Sequence, residues 1–195
     1  MFFRDLKFKK GVKLKVTLAE VHLPVRLGHR DAKRTFITPL SMQLAAAGIG
    51  TVTGFEEYQK DETEIAGLDV YLGLTDASRP ALGTVAGMLE QLRAPCGSSI
   101  RLSDIPGDPV LFGVTEGLEL SIGSDMTPDA ETRKELAQTC RSAIEDHAVS
   151  RGWTRQADRT LFFFYGESFT EMKERLARAL DDDPRFSGAV LRRMA

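Results

Sequence analysis

Between Val12 and Ser103 the spacing of apolar residues alternates between two periods, and the order of those periods restricts the fold more than any other feature of the chain. In Val12-Lys13-Leu14-Lys15-Val16-Thr17-Leu18 apolar and polar residues alternate strictly, which predicts a strand with one buried face and both lysines on the wet one. His22 to Leu27 extends it, with Pro24, which has no ladder donor, marking an edge or a bend. Gly28 to Arg34 is polar and reads as a connection. A helix is expected from Thr38-Pro39, because threonine accepts from orphan backbone N–H groups and proline suits the first turn. Leu40, Leu44 and Ala47 share its inner face, and Gly48 supplies the left-handed residue that ends it.

Thr51 to Gln59 is the next strand, and across the charged turn Lys60 to Glu64, Leu68, Val70, Leu72 and Leu74 recur at period two, an antiparallel hairpin. After the turn Thr75 to Ser78, a helix from Arg79 to Arg93 gathers Leu82, Val85, Ala86, Leu89 and Leu92 on one stripe. Gly83 and Gly87 weaken that helix by about 1 kcal/mol each relative to alanine, so close packing against the sheet is expected there. Pro95 and Gly97 stop it, and Ser98 to Ser103 forms a strand around Ile100 and Leu102. The order β-α-β-β-α-β is that of the split βαβ, or ferredoxin-like, unit, with two helices on one face of a four-stranded antiparallel sheet.

The turn-rich stretch Asp104 to Pro109 follows a complete unit and is the expected linker, which divides the chain into 1–103, 104–109 and 110–195. Beyond it, Val110 to Val114 and Leu118 to Ile122 flank the turn Thr115-Glu116-Gly117. A long helix opens at Thr127-Pro128, with Asp129 and Glu131 near its positive end and Leu136, Ala137, Cys140, Ile144 and His147 inward. Thr160 to Tyr165 has too many consecutive large apolar groups for a strand with one wet face, so it is expected in mid-sheet with both faces covered. Ser168-Phe169-Thr170-Glu171 matches a capping box ahead of an inward stripe of Phe169, Met172, Leu176 and Leu180, and Ala189 to Arg192 is the last strand. One strand, somewhere in Gly152 to Asp158, shows no pattern, so the second unit is expected as a variant. The fold class is therefore α+β: two tandem ferredoxin-like units, antiparallel sheets with helices on one face.

The 195 residues, 42% hydrophobic and 28% charged, suit a globular chain with one large core or two small ones. No apolar run is long enough to cross a bilayer and the first residues lack a secretory pattern, so a cytoplasmic protein is expected. The net charge of −2 conceals an asymmetry. Residues 1–34 hold six lysines and four arginines against Asp5, Glu20 and Asp31, a balance of +7, leaving −9 on the remainder. A basic segment of this kind suits either an acidic partner or the acidic remainder of its own chain.

Candidate chemistries are few. Cys96 and Cys140 are spaced as reduced thiols, and Cys140 and His147, seven apart, sit on an apolar stripe where packing is the better reading than metal ligation. Gly48-Ile49-Gly50 leads from helix into strand, the reverse of a phosphate loop, and the Walker lysine is missing. Arg159 to Tyr165 lacks the glycine–aromatic pattern of a ribonucleoprotein motif, and the pI of about 6.0 argues against nucleic acid. Asp181-Asp182-Asp183-Pro184 reads as a solvated turn, and Glu56 and Glu57 point to opposite sheet faces. No catalytic residue, metal site or cofactor is expected. The cationic cluster His29, Arg30, Lys33 and Arg34, with Lys13 and Lys15 on the wet strand face, is the expected partner-binding surface.

The stretches AEVHLP, LAAAGIGTVTG, APCGS, EGLEL and, most specifically, LFFFYGESFTEM resemble an uncharacterised group of bacterial proteins of similar length. The resemblance covers most of the chain and implies the tandem α+β fold, but no functional residue. The architecture is also similar to that of some immunity proteins that neutralise bacterial toxins. The expected function is a non-catalytic protein-binding protein, an inhibitor or regulator of that type, existing as a monomer or homodimer without membrane or nucleic-acid partners. Alternatives are an ACT-like regulatory domain sensing a small molecule beside Ala47-Gly48-Ile49, and a cofactor-free enzyme working in a sheet cavity.

Overall fold

The computed structural model describes residues 6–7, 13–14, 16–61, 64–126, 129–181, 183, 186 and 188–194, leaving out the side chains of 6, 7, 13, 14, 60, 61 and 64. The chain forms two compact units, Met1–Val114 and Thr115–Ala195.

In the first unit, β1 (Leu6–Lys7) and β2 (Lys13–Leu14) pair with each other as a small ladder. The alternation expected from Val12 to Leu18 is therefore not one strand: its first half belongs to that ladder, and β3 runs Thr17–Leu23. Pro24 follows β3 directly, as a residue without a ladder donor should. Then come α1 (His29–Ala32), a π-turn (Lys33–Ile37), α2 (Thr38–Ala47), β4 (Gly50–Asp61), β5 (Glu64–Leu74), α3 (Arg79–Gln91), β6 (Ser98–Leu102) and β7 (Val110–Phe112). The sheet order is β4-β5-β3-β6-β7, all antiparallel. Its first four strands have the ferredoxin-like order, and β7 adds a fifth at the edge. Ala19, Val21, Leu23, Leu68, Val70, Leu72 and Ile100 meet Leu40, Leu44, Leu82, Val85 and Leu89 in the core, all at most 6% exposed.

Two details differ from expectation. A Cβ built on Gly83 or Gly87 meets nothing within 4 Å, so these glycines do not mark a close approach to the sheet. Val110 to Val114 belongs to the first unit, because Leu111 and Phe112 pair with Ser99 and Ser98 and the Val114 N–H donates to Ala94 O at 2.9 Å. Gly113 permits this: at φ +125° a Cβ would fall on the Pro95 carbonyl.

The second unit contains β8 (Glu116–Gly123), α4 (Ala130–Ile144), β9 (Ala148–Arg155), β10 (Arg159–Gly166), α5 (Phe169–Asp181) and β11 (Val190–Met194), in sheet order β11-β8-β10-β9. It is a complete ferredoxin-like unit. The strand without a sequence pattern is β9, an edge strand whose pairing with β10 shifts register between Phe163 and Phe164, around Gly152 at φ +112°. A bulge breaks period two, and an edge position with mostly polar residues carries no apolar signal. β10 lies inside the sheet with Thr160 to Tyr165 all buried. Leu118, Leu120, Ile122, Phe162 and Phe164 face Leu136, Cys140, Ile144, Met172, Leu176 and Leu180 in one cluster. The Asp129 side chain caps α4 by accepting from Thr132 N at 2.8 Å, while Thr127 and Pro128 lie outside the described residues. The Ser168 hydroxyl accepts from Glu171 N at 3.3 Å, as the capping box requires. His147 falls beyond the end of α4, with Nδ1 3.1 Å from Glu171 Oε1, and so is not part of the Cys140 stripe. Among the described residues no helix is long and apolar enough to cross a membrane.

Candidate functional site

The connection expected between Gly28 and Arg34 is helical, and it runs without a break into α2 across the π-turn. Helix start therefore comes nine residues before Thr38, which lies inside the continuous helix, preceded by Ile37 in helical conformation, and is not its N-cap. The cause is local. Gly28 O accepts from Asp31 and Ala32 N–H groups, and Ala32, Phe36, Ile37, Leu40 and Leu44 bury a continuous inner stripe that the polar residues between them conceal. Pro39 has no N–H for the preceding turn and its ring crowds that turn's carbonyl, so the helix widens just before it.

That extra residue sets the outer face. An unbroken α-helix would carry the face of Arg30, Lys33 and Arg34 on to residues 37 and 41. With the π-turn it continues instead through Thr38, Pro39, Met42 and Gln43, and these seven residues line an open groove of about 590 Å³. Met42 is 68% exposed. Arg34 reaches Asp31 at 3.1 Å, a solvent-exposed i,i+3 pair of little energetic weight. Gln43 Oε1 is buried and has no partner among the described residues.

Of the six residues expected from sequence, the structure thus brings Arg30, Lys33 and Arg34 together. His29 lies on the same helix, but its ring stacks on Phe55 of β4 at 4.5 Å. Lys13 belongs by its backbone to β2, its side chain is outside the described set, and Lys15 is outside it altogether. Met42 and Gln43 were not legible, since placing them beside the cations requires knowing that the helix contains a wide turn.

A second set of groups lies on the face of the same sheet turned away from the helices. Alternation in β3 and β5 puts Glu20, His22, Asp69 and Tyr71 there, opposite the inward Val21 and Val70. His22 Nδ1 is 2.7 Å from Asp69 Oδ1, and Arg101 donates from Nε and Nη2 to Glu20 Oε2 at 3.0 and 2.7 Å. The Tyr71 hydroxyl donates to Glu56 Oε1. That hydrogen bond, then burial, then the charges of Glu56, Asp69 and Glu20 push the Tyr71 pKa up to about 12. Tyr58 meets the His22 ring edge-on at 6.0 Å, and a Cβ at Gly67 would come within 2.9 Å of His22 Cε1 and 3.0 Å of Leu23 O. Leu18, Ala19, Thr53, Gly54, Tyr71, Leu72 and Ser103 line a groove of about 350 Å³ on this unit. The signal for these groups was present as the polar half of each alternating strand. At the exit of α2, Gly48 takes φ +68° and Thr75 ties Ile49 O with its N–H and its hydroxyl, at 3.0 and 3.1 Å.

The two cysteines differ sharply. Cys140 is fully buried, and burial pushes its thiol up to about 12, whereas Cys96 is exposed. Among the described residues no three His, Cys, Asp or Glu side chains converge as a metal site.

No protein-family model matches the chain, and no curated protein matches it. Among solved structures it is similar to an unknown protein from Galdieria sulphuraria at 14% identity and TM-score 0.31, covering 92% of this chain and 98% of that one. The regulatory subunit of aspartate kinase from Thermus thermophilus aligns at 15% identity and TM-score 0.28, over 85% of this chain and 92% of that one. A mutant chlorite dismutase from Candidatus Nitrospira defluvii aligns at 12% and 0.29, over 96% and 95%. Likenesses this distant leave function to be argued from the chain's own residues.

Proposed function

We propose that this chain is a non-catalytic binding protein of the inhibitor or regulator type, which docks an acidic segment of another protein on the outer face of helix 29–47. One observation carries the reading. The π-turn gathers Arg30, Lys33 and Arg34 onto the same face as Met42, which is 68% exposed, above a groove of about 590 Å³. Exposed cations around an apolar floor match a segment with carboxylates flanking an aliphatic side chain. The carboxylates supply orientation and association rate, and burying the aliphatic group against Met42 and Pro39 supplies affinity.

The test is a peptide array of Asp/Glu-rich segments with and without a central leucine, read by interferometry against the intact chain. Binding is expected for the leucine-containing acidic peptides, falling as salt rises, and falling about tenfold or more in Arg30→Glu/Lys33→Glu. Equal binding by the charge-reversed protein, or a preference for basic peptides, would refute the reading.

A further inference from the structure

Residues 103–109 join β6 to β7 without regular structure, and all seven are exposed. Ile105 is 44% exposed, and Asp104 and Asp108 stand on either side of it in the chain, with carboxylates that have no partner among the described residues. Ile105 and Asp108 each precede a proline, Pro106 and Pro109, which favours extended backbone at both and leaves less chain entropy to be lost on docking. An aliphatic side chain between two carboxylates is the chemistry that the face of helix 29–47 fits, and here the chain itself presents it. Its other acidic stretches suit that face less well: Glu131 and Glu135 are carried on α4, Glu171 and Glu174 on α5, and the aspartates at 181–183 have no aliphatic residue between them.

The spans agree. Asp104 and Asp108 stand at most about 14 Å apart along the chain, and Arg34 and Met42 are about 12 Å apart along the helix axis. A segment lying lengthwise can therefore seat Ile105 on Pro39 and Met42 while its carboxylates reach the cations. Its own molecule cannot make that contact. α2 packs on β4, at the far side of the sheet, three strand spacings or about 14 Å from β6, and the groove lies on the helix face turned away from the sheet. Ser103 is also tied to the sheet, its N–H donating to Leu18 O at 2.9 Å.

We propose that a second copy of this chain occupies the groove: residues 103–109 of one copy dock on helix 29–47 of the next, with Ile105 against Pro39 and Met42 and the two aspartates among Arg30, Lys33 and Arg34. The proposal rests on the docking reading and deepens it, because the self-docked segment masks the surface that an acidic partner needs. The contact is heterologous, groove to loop, so copies add head to tail into a ring or an open chain. A segment of this length buries far less than a standard interface, and association should be weak, with Kd in the range of about 10 μM to 1 mM. Dilution or a tighter acidic partner then uncovers the groove.

The experiment is sedimentation velocity of the intact chain over a concentration series from about 5 μM to 1 mM, at low and at high salt. The average sedimentation coefficient should rise with concentration at low salt, and return to the monomer value at high salt or on adding a leucine-containing acidic peptide. Asp104→Lys/Asp108→Lys should stay monomeric and still bind the acidic peptides as the parent does, since its groove is untouched. Arg30→Glu/Lys33→Glu should lose both properties, and the chain carrying all four substitutions, with both sides of the contact reversed, should associate again. All four positions are exposed, and far-UV circular dichroism matching the parent verifies that each variant folds. A parent that binds the acidic peptides but stays monomeric throughout would overturn the self-docking alone, whereas one that does neither would overturn the docking reading with it. Association unchanged in Asp104→Lys/Asp108→Lys, or a monomeric four-substitution chain, would also overturn the proposal.

Discussion

Replacing Gly83 and Gly87 by alanine should make the first unit more stable. Both residues lie inside α3 (Arg79–Gln91), neither has a positive φ, and a Cβ on either meets nothing within 4 Å. The native state therefore accepts the methyl group without strain. The gain has two sources: alanine is the better helix former by about 0.8–1 kcal/mol per site, and it narrows the ensemble of the unfolded chain. Because some of that advantage is lost in any real context, about 0.5–1 kcal/mol per site and about 1–2 kcal/mol for the pair is the expected range. The assay is urea unfolding followed by far-UV circular dichroism. With m near 1–3 kcal/mol/M for a domain of this size, the midpoint should rise by about 0.3–2 M with the slope unchanged. Gly113→Ala is the internal contrast. There φ is +125° and the Cβ falls on Pro95 O, so a loss of about 2 kcal/mol or more is expected. If the alanine pair lowered the midpoint, the outer face of α3 would be packed and this description of the helix would be wrong.

A thiol reagent at pH 8 should modify Cys96 at once and reach Cys140 only on unfolding, because burial holds the Cys140 thiol up near pKa 12 and away from solvent. Two thiols reacting at one rate in the native protein would contradict the core placement of Cys140. For Asp129, the hydrogen bond from the Thr132 N–H lowers the carboxyl pKa in the folded state. Its stabilising contribution is therefore present above the ordinary carboxylate range and lost as pH falls through the lowered folded value. In an acid titration followed by the fluorescence of Trp153, the sole tryptophan, the parent should exceed Asp129→Asn in stability near neutrality and converge with it at the acid end. A difference that stayed constant with pH would refute the assignment.

How far the sequence reaches can be judged element by element. The β5 alternation of Leu68, Val70, Leu72 and Leu74, the α3 stripe of Leu82, Val85, Ala86 and Leu89, and the α5 capping box at Ser168 all express local rules, and the structure follows them, although α3 ends at Gln91, before the expected Arg93. Three features depended on information that no local window holds. β9 is an edge strand with a bulge, so its apolar period is both weak and broken. β7 belongs to the first sheet because of a partner, β6, and a left-handed glycine, whereas sequence adjacency suggested the second unit. Helix 29–47 hides its buried stripe among Arg30, Lys33 and Arg34, and the π-turn shifts the phase halfway, so no single helical period fits it. The last of these also limited the site: the cations were legible as a charge run, but their neighbours Met42 and Gln43 were not. The sheet-face network of His22–Asp69, Arg101–Glu20 and Tyr71–Glu56 was visible only as polar positions on separate strands, since register decides which of them meet.

The central claim is that the outer face of helix 29–47 holds an acidic protein segment, and site-specific crosslinking tests it most directly. A photoreactive residue placed at Met42 in the intact protein, irradiated with a leucine-containing acidic peptide selected from the array, should give an adduct at low salt. The adduct should fade at high salt and disappear in Arg30→Glu/Lys33→Glu, while the same probe placed at exposed Val149 of β9 should give none. An adduct of equal yield from the charge-reversed protein, or an equal yield from position 149, would contradict the account.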